Sequence, residues 1–241
     1  MIGILCAGDR EVAPFIPIIN NCVISKKAML TFYSGEIEGV SVVTLFSGVC
    51  RTNAAIATQI LIDTYHCDAI INAGTAGGMA KNVKLFDTVV STESAYWDIH
   101  EDMLTTFHPW MPTVYFPADK DLLAAAKSVA AQNRFQGNVH FGKMLTGESF
   151  IEDKCREALN EKFSPLSVDM ETAAVAHVCY VNKIPTIAVR TITDTADHIG
   201  ADAVADFENH CDKASRIAAD FVIAMLKEMS NQHGLLIGRK P

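Results

Sequence analysis

Residues 69–78, AIINAGTAGG, decide the fold, because an apolar run at 69–72 passes directly into a glycine-rich segment at 74–78. A short apolar run bounded by glycine is typical of a buried strand in a parallel sheet. The glycines would let backbone N–H groups approach a ligand closely, but a plain tight turn explains them equally well. The segment has neither the GxGxxG pattern of dinucleotide sites nor the GxxxxGK(S/T) pattern of P-loops. We therefore expect a strand followed by a turn.

Strands and helices are predicted to alternate on both sides of this segment. The predicted strands cover residues 2–6, 31–37, 40–46, 69–72, 88–91, 139–145, 167–170 and 186–192. A first helix is predicted after Glu11, with Pro14 in its first turn, and a second begins at Thr52 or Asn53. Further predicted helices cover residues 119–131, 152–161, 171–182 and 206–229. No linker and no internal repeat interrupts this order. We therefore predict one α/β domain over residues 1–229, with three α/β/α layers around a central, mostly parallel, mixed sheet, and a C-terminal tail at 230–241.

The composition limits the classes of partner. The 241 residues carry a formal net charge of −8 and have a sequence pI of about 5.4, whereas a nucleic-acid or anionic-membrane surface needs clustered Lys and Arg. The seven cysteines include no CxxC pair, which is typical of reduced thiols. No signal-peptide pattern and no long apolar run is found in the sequence. We expect a cytoplasmic protein with a small-molecule ligand and with no nucleic-acid or membrane partner.

Three acidic residues stand just after predicted strands, where ligands gather in α/β sheets. Glu11 could act as a general base on water, and Asp194 as a general acid. Glu171 could accept two hydrogen bonds from a sugar diol. Each also has a purely structural interpretation, since acidic residues favour helix N-termini and aspartate favours turns. Asp169, two residues before Glu171, is given no catalytic role.

Arg190 lies inside the apolar strand predicted at 186–192. An unpaired charge there would be costly, so we expect a buried acidic partner for its guanidinium. No group of histidines and cysteines has the spacing of a zinc site, and no GxSxG or cysteine-nucleophile motif is present. We therefore expect no metal site.

The order of the motifs along the chain is more specific than any one of them. They are SGVCRTNAA at 47–55, NAGTAGG at 72–78, TGESFI at 146–151, VDMETAAVAHV at 168–178 and VRTITDTAD at 189–197. Together they closely resemble the 5′-methylthioadenosine/S-adenosylhomocysteine nucleosidases, which belong to the purine nucleoside phosphorylase superfamily. The resemblance extends from Gly3 to about Met229. It implies a three-layer α/β/α homodimer that hydrolyses the N-glycosidic bond of an adenine nucleoside and needs no cofactor.

The resemblance also implies roles for the catalytic and sugar-binding residues. Glu11 matches the glutamate that activates the attacking water, and Asp194 matches the aspartate that protonates the imidazole ring of adenine. Glu171 matches the residue that holds the ribose 2′ and 3′ hydroxyls, and Met170 packs against the sugar.

Four further positions are assigned in the same way. Phe150 matches the aromatic residue that stacks on adenine, and the backbone of Ile151 would bind the edge of the base. Thr75 and Arg190 match positions that line the water and the catalytic glutamate. The sequence departs from the family at Gly8, where methionine is frequent, and at other positions expected near the 5′ substituent of the nucleoside. These departures predict an altered pocket for that substituent.

Other functions fit the same pattern. A phosphorylase of this fold would need a phosphate site, for which Arg10 or Arg51 are the available arginines. A nucleoside-binding protein without activity would use the same scaffold, since fold does not dictate function. It would have no need of the acid–base pair Asp194 and Glu11. A hydrolase with a Cys or Ser nucleophile is the least favoured alternative.

Overall fold

The computed structural model describes residues 1–100, 102–149, 151, 153–195 and 201–231. Its strands are β1 (Ile2–Cys6), β2 (Asn20–Lys27), β3 (Leu30–Ile37), β4 (Val40–Phe46), β5 (Ala69–Gly78), β6 (Thr88–Tyr96), β7 (Phe116–Pro117), β8 (Val139–Thr146), β9 (Ser167–Asp169) and β10 (Thr186–Asp194). Its helices are α1 (Asp9–Val12), α2 (Arg51–Asp63), α3 (Met103–Thr106), α4 (Lys120–Ala130), α5 (Asp153–Phe163), α6 (Thr172–Asn182) and α7 (Ala201–Asn231). A 3-10 helix covers Ile16–Ile18.

The strands form one mixed sheet with two parts. Five strands form a closed ring in the order β5, β9, β8, β6 and β10. The ring closes because β10 pairs in parallel with β5, and this pairing places Arg190 beside Gly74. We call these five strands the strand ring. From β5 the sheet continues outward through β1, β4, β3 and β2, which we call the open arm. The predicted mixed α/β sheet is confirmed.

Helices cover both faces of the open arm, as successive residues of β1 show. Ile4 is fully buried in a cluster that contains Phe221 of α7, whereas Leu5 is fully buried in a cluster that contains Leu61 of α2. Neighbouring residues of a strand point to opposite faces, so each face of the sheet needs its own apolar layer. The predicted three-layer arrangement follows from this pattern. No helix of the described residues combines the length and the apolar character needed to cross a bilayer.

The structure corrects the prediction for the glycine-rich segment. We expected a turn at 74–78, but β5 continues to Gly78, and Gly77 pairs with both Val168 of β9 and Asp194 of β10. A Cβ atom on Gly77 would lie 2.9 Å from Oδ2 of Asp194. The glycines therefore leave room for side chains of the neighbouring strand.

Several element boundaries also differ from the prediction. The helix expected with Pro14 in its first turn does not form: α1 ends at Val12, and the 3-10 helix at Ile16–Ile18 follows. The structure adds β2, which the sequence did not predict, and extends β6 as far as Tyr96. Helix α7 begins at Ala201 instead of 206 and ends at Asn231, two residues beyond the predicted end of the domain. The division into a domain at 1–229 and a tail at 230–241 stays a prediction.

A buried aspartate stabilises the strand ring at the turn before β6. Asp87 accepts N–H bonds from Asn138 and Lys84, at 2.8 and 2.9 Å, and lies 2.8 Å from Nε2 of His140. Burial alone would raise the pKa of Asp87, but these hydrogen bonds lower it further than burial raises it. The ionised form of Asp87 is therefore the form that stabilises the fold.

We expect Asp87→Asn to lower the free energy of unfolding at neutral pH by about 1–3 kcal/mol, since the amide would turn a donor toward buried N–H groups. Because the folded pKa is depressed, this contribution is complete above the unfolded pKa and is lost as the pH falls through the folded pKa. Urea unfolding of both proteins should show the difference shrinking in acid. Asp63→Asn, on an exposed face of α2, is the control. An equal loss at all pH values would contradict the assignment.

Candidate active site

A cavity of about 480 Å³ lies where the strand ring meets β1, with α7 over one side. Pockets for small ligands in proteins have volumes of this order. Five of the predicted site residues line it: Glu11, Thr75, Met170, Glu171 and Asp194. They come from segments separated by as many as 183 residues, so only the fold brings them together.

The carboxylate of Glu11 is held by four hydrogen bonds. The N–H groups of Ala7 and Gly8 donate to Oε2 at 2.7 and 3.0 Å. The N–H and the hydroxyl of Thr75 donate to Oε1 at 2.7 and 2.9 Å. A Cβ atom at Gly74 would collide with the same oxygen, so only glycine leaves space for the carboxylate. All four bonds suit the ionised form, which only accepts.

Arg190 is fully buried behind the cavity and has the acidic partners that the sequence predicted. Its Nε lies 3.1 Å from Oδ2 of Asp169, its Nη2 3.2 Å from Oε2 of Glu171, and its Nη1 3.8 Å from Oε1 of Glu11. Burial alone would lower the pKa of Arg190, but Asp169, Glu171 and Glu11 raise it above its usual value. The guanidinium therefore stays charged and balances part of the negative charge of the site.

Glu171 lies at the start of α6 with its side chain turned into the cavity. Its Oε1 accepts the N–H of Cys50 at 3.0 Å, and its Oε2 accepts Nη2 of Arg190. Burial raises the pKa of Glu171 to about 7, and the nearby carboxylates of Asp169 and Glu11 act in the same direction, while Arg190 opposes them. An ionised carboxylate has about four acceptor sites, so two remain for a ligand.

Asp194 ends β10 just after an irregularity in its pairing with β5. It is 8% exposed, its Oδ1 accepts the hydroxyl of Thr193 at 3.0 Å, and its Oδ2 lies above Gly77. The carbonyl oxygen of Thr193 lies 2.9 Å from Nδ1 of His210, which connects α7 to this strand end. Asp194 is thus a nearly buried carboxyl group that still faces the cavity.

The two residues predicted to bind adenine are not among the described residues that line the cavity. Ile151 is buried in an apolar cluster with Met79 and Leu145, and it is not among the residues that line the cavity. Phe150 lies outside the described residues. Their roles toward the base stay predictions.

The structure reveals residues of the site that the sequence analysis missed. Asp169 accepts the hydroxyl of Thr146 at 2.6 Å and the N–H of Thr172 at 3.0 Å, besides its ion pair with Arg190. Asn72 accepts Nη2 of Arg190 at 2.7 Å through its side-chain oxygen. The requirement for a buried partner of Arg190 was the one signal that pointed to these positions. Within the described part of the chain, no three His, Cys, Asp or Glu side chains are grouped to hold a metal.

The sequence of this chain is similar to proteins of one superfamily and, within it, to one family of nucleosidases. The family model of the phosphorylase superfamily matches residues 1–227. A 5′-methylthioadenosine/S-adenosylhomocysteine nucleosidase of Staphylococcus carnosus is 34% identical over 237 residues, which cover 95% of this chain and 100% of that protein. One from an Exiguobacterium strain is 36% identical, with 95% and 98% covered. The chain belongs to the 5′-methylthioadenosine/S-adenosylhomocysteine nucleosidase family.

Solved structures show the same similarity. A nucleosidase of this name from S. pneumoniae, with a transition-state inhibitor, has a TM-score of 0.85 and 28% identity, with 95% of this chain and 99% of that chain covered. The nucleosidase from Colwellia psychrerythraea, in complex with adenine, has a TM-score of 0.85 and 31% identity, with 94% of each chain covered.

Proposed function

We propose that this protein hydrolyses the N-glycosidic bond of a 5′-modified adenine nucleoside, of the methylthioadenosine and adenosylhomocysteine type, and releases adenine and a ribose derivative. The observation that carries the proposal is the meeting of Glu11, Glu171 and Asp194 in one cavity. A binding protein would need the sugar-binding carboxylate but not the acid–base pair, so the three together favour catalysis.

The residues divide the reaction between them. Asp194 donates a proton to the imidazole ring of adenine, which makes the base a better leaving group. The sugar passes through an oxocarbenium-like transition state, as in glycoside hydrolysis generally, while Glu171 holds its 2′ and 3′ hydroxyls. Glu11 takes the proton from the water that attacks the anomeric carbon. The hydroxyl of Thr75 is the one donor to Glu11 that can rotate away, so the water takes its place.

Two features of the site support hydrolysis over phosphorolysis. The N–H groups of Ala7, Gly8 and Thr75, which could otherwise bind an anion, already donate to the carboxylate of Glu11. Arg10 is paired with Glu208 and Asp212, and Arg51 with Asp98 and Glu148. A phosphate ion would therefore meet a carboxylate instead of an available cation.

Gly8 supports a wider 5′ pocket than the common family pattern. Its backbone angles, φ −116° and ψ 162°, are open to any residue, and a Cβ atom there would meet nothing within 4 Å. Neither strain nor crowding therefore requires glycine at this cavity-lining position. We infer that the missing side chain leaves space for a bulky 5′ substituent.

The proposed function is tested by adenine release from methylthioadenosine, S-adenosylhomocysteine, 5′-deoxyadenosine and adenosine, each with and without phosphate. We expect release at the same rate in both conditions, fastest for a substrate with a large 5′ group. Strict dependence on phosphate would make the protein a phosphorylase. Binding without release would make it a nucleoside-binding protein.

We further propose a homodimer in the cytoplasm. Apolar side chains are exposed on α2, α3, the segment after α3 and α6, including Ile56, Met103, Phe107, Trp110 and Tyr180. A second copy of the chain covering this face would remove them from water. All seven cysteines are free, which supports a reducing compartment. Light scattering should give twice the chain mass of 26.2 kDa, and a monomer at that mass would contradict the dimer.

A further inference from the structure

The turn between β4 and α2 contains a residue in an unfavourable backbone conformation. Cys50 has φ 82° and ψ 161°, a region that is almost restricted to glycine. A side chain is unfavourable in this region, so the conformation persists only where surrounding contacts fix the backbone. Something in the structure must therefore hold Cys50 in place.

The strained conformation directs the N–H of Cys50 at the carboxylate of Glu171, 3.0 Å away. Glu171 is 3% exposed, and the charged groups that face it are Arg190 on β10, Asp169 on β9 and Glu11 on α1. Two of these three groups are acidic and oppose its ionisation, so each donor to the carboxylate matters. The hydrogen bond from Cys50 favours the ionised form, which is the form that accepts two ribose hydroxyls.

The next residue, Arg51, ties this turn to two other loops. Its N–H and Nε donate to Oε1 of Glu148, after β8, at 3.1 and 2.8 Å. Its Nη1 donates to Oδ1 of Asp98, after β6, at 2.9 Å, and its guanidinium lies 5.3 Å from the centre of the Tyr96 ring. The N–H of Glu148 donates to Asp98 at 3.1 Å and closes the network. One arginine therefore joins three loops beside the cavity.

We propose that Arg51 is a positioning residue for sugar binding: its bonds to Asp98 and Glu148 hold Cys50 in its strained conformation, which keeps the Cys50 N–H directed at Glu171. Arg51 itself does not touch the substrate. The inference rests on the proposed function, because it assigns the ribose hydroxyls to Glu171. It adds a residue that acts on the sugar from outside the cavity.

The test is the binding of the nucleoside compared with the binding of adenine, which has no ribose. In Arg51→Met we expect the Kd of 5′-deoxyadenosine, measured by calorimetry with the catalytically inactive Asp194→Asn background, to rise about tenfold, the size of one hydrogen bond to a charged group. The Kd of adenine should stay the same. The matched control is Arg134→Met, since Arg134 is exposed and far from Arg51 in the sequence. This variant should change neither Kd.

Kinetics with the active enzyme give a second measurement. In Arg51→Met, KM should rise more than kcat falls, and KM should rise further on the acid side of neutrality, because Glu171 without its donor is protonated at a higher pH. Adding Cys50→Gly to Arg51→Met should recover most of the loss, since glycine adopts φ 82° without help.

The outcomes separate the two proposals. Equal weakening of nucleoside and adenine binding, or no recovery in the double variant, would overturn the positioning role and leave the nucleosidase intact. Phosphate-dependent release by the wild type would overturn hydrolysis while the nucleoside-to-adenine comparison still tests Arg51. A wild-type protein that binds neither ligand would overturn both.

Discussion

Asp194→Asn is expected to lower the rate of adenine release by about 10²- to 10⁴-fold, the usual contribution of a general acid. Asparagine has the same shape and can still accept the hydroxyl of Thr193, but it has no proton to transfer to the leaving base. The loss should appear in kcat with little change in nucleoside binding. Adenine release followed by chromatography, and calorimetry with the nucleoside, would measure the two quantities.

Asp9→Asn is the matched control for this substitution. Asp9 lines the same cavity but is exposed to solvent, and it is given no role in the reaction. Its variant should keep most of the activity. Near-normal turnover in Asp194→Asn with an unchanged melting temperature would show that the proton reaches adenine from another group.

Glu11→Gln should have an effect of the same order, about 10²- to 10⁴-fold on kcat, because an amide cannot take the proton of the attacking water. It also carries a structural cost. Both oxygens of Glu11 accept N–H bonds, from Ala7 and Gly8 on one side and from Thr75 on the other. The NH₂ group of glutamine must therefore face a buried donor, which costs about 1–3 kcal/mol.

The melting temperature and the activity of Glu11→Gln should consequently fall together, and both are measured on the same sample. Glu208→Gln is the control, since Glu208 lines the cavity and its carboxylate forms an exposed ion pair with Arg10. A stable Glu11→Gln protein with normal activity would transfer the role of base to a different residue.

Much of the fold could be predicted because most strands and helices carry their own signal. The apolar strand β10 with Arg190 inside it even required buried acids, and the structure supplies Asp169, Glu171 and Glu11. Strand β2 could not be predicted in the same way. Seven of its eight residues are exposed, so its sequence has no apolar periodicity. The strand forms because it pairs with β3, and that pairing depends on the tertiary structure.

The parts of the site that depend on long-range pairing were beyond the sequence. The glycines at 74–78 indicate a turn when read locally, but β9 and β10 extend the strand by pairing with both of its edges. The interaction of Cys50 with Glu171 joins residues 121 positions apart, and that of Arg51 with Glu148 joins residues 97 apart. Such contacts leave no periodic pattern, so only the three-dimensional structure reveals them.

The division of the sheet has a consequence for how the protein would lose activity. Thr75, Arg190 and Asp194 are on the strand ring, whereas Glu11 follows β1 of the open arm, whose outermost strand β2 has an exposed edge. Proteins open locally where buried contacts are few and backbone hydrogen bonds are exposed to solvent, and the exposed strand β2 has both properties. Opening of the arm would move Glu11 away from an otherwise intact strand ring. Inactivation by mild denaturant would then precede global unfolding, and enzyme activity would report on the arm before spectroscopy detects any loss of structure.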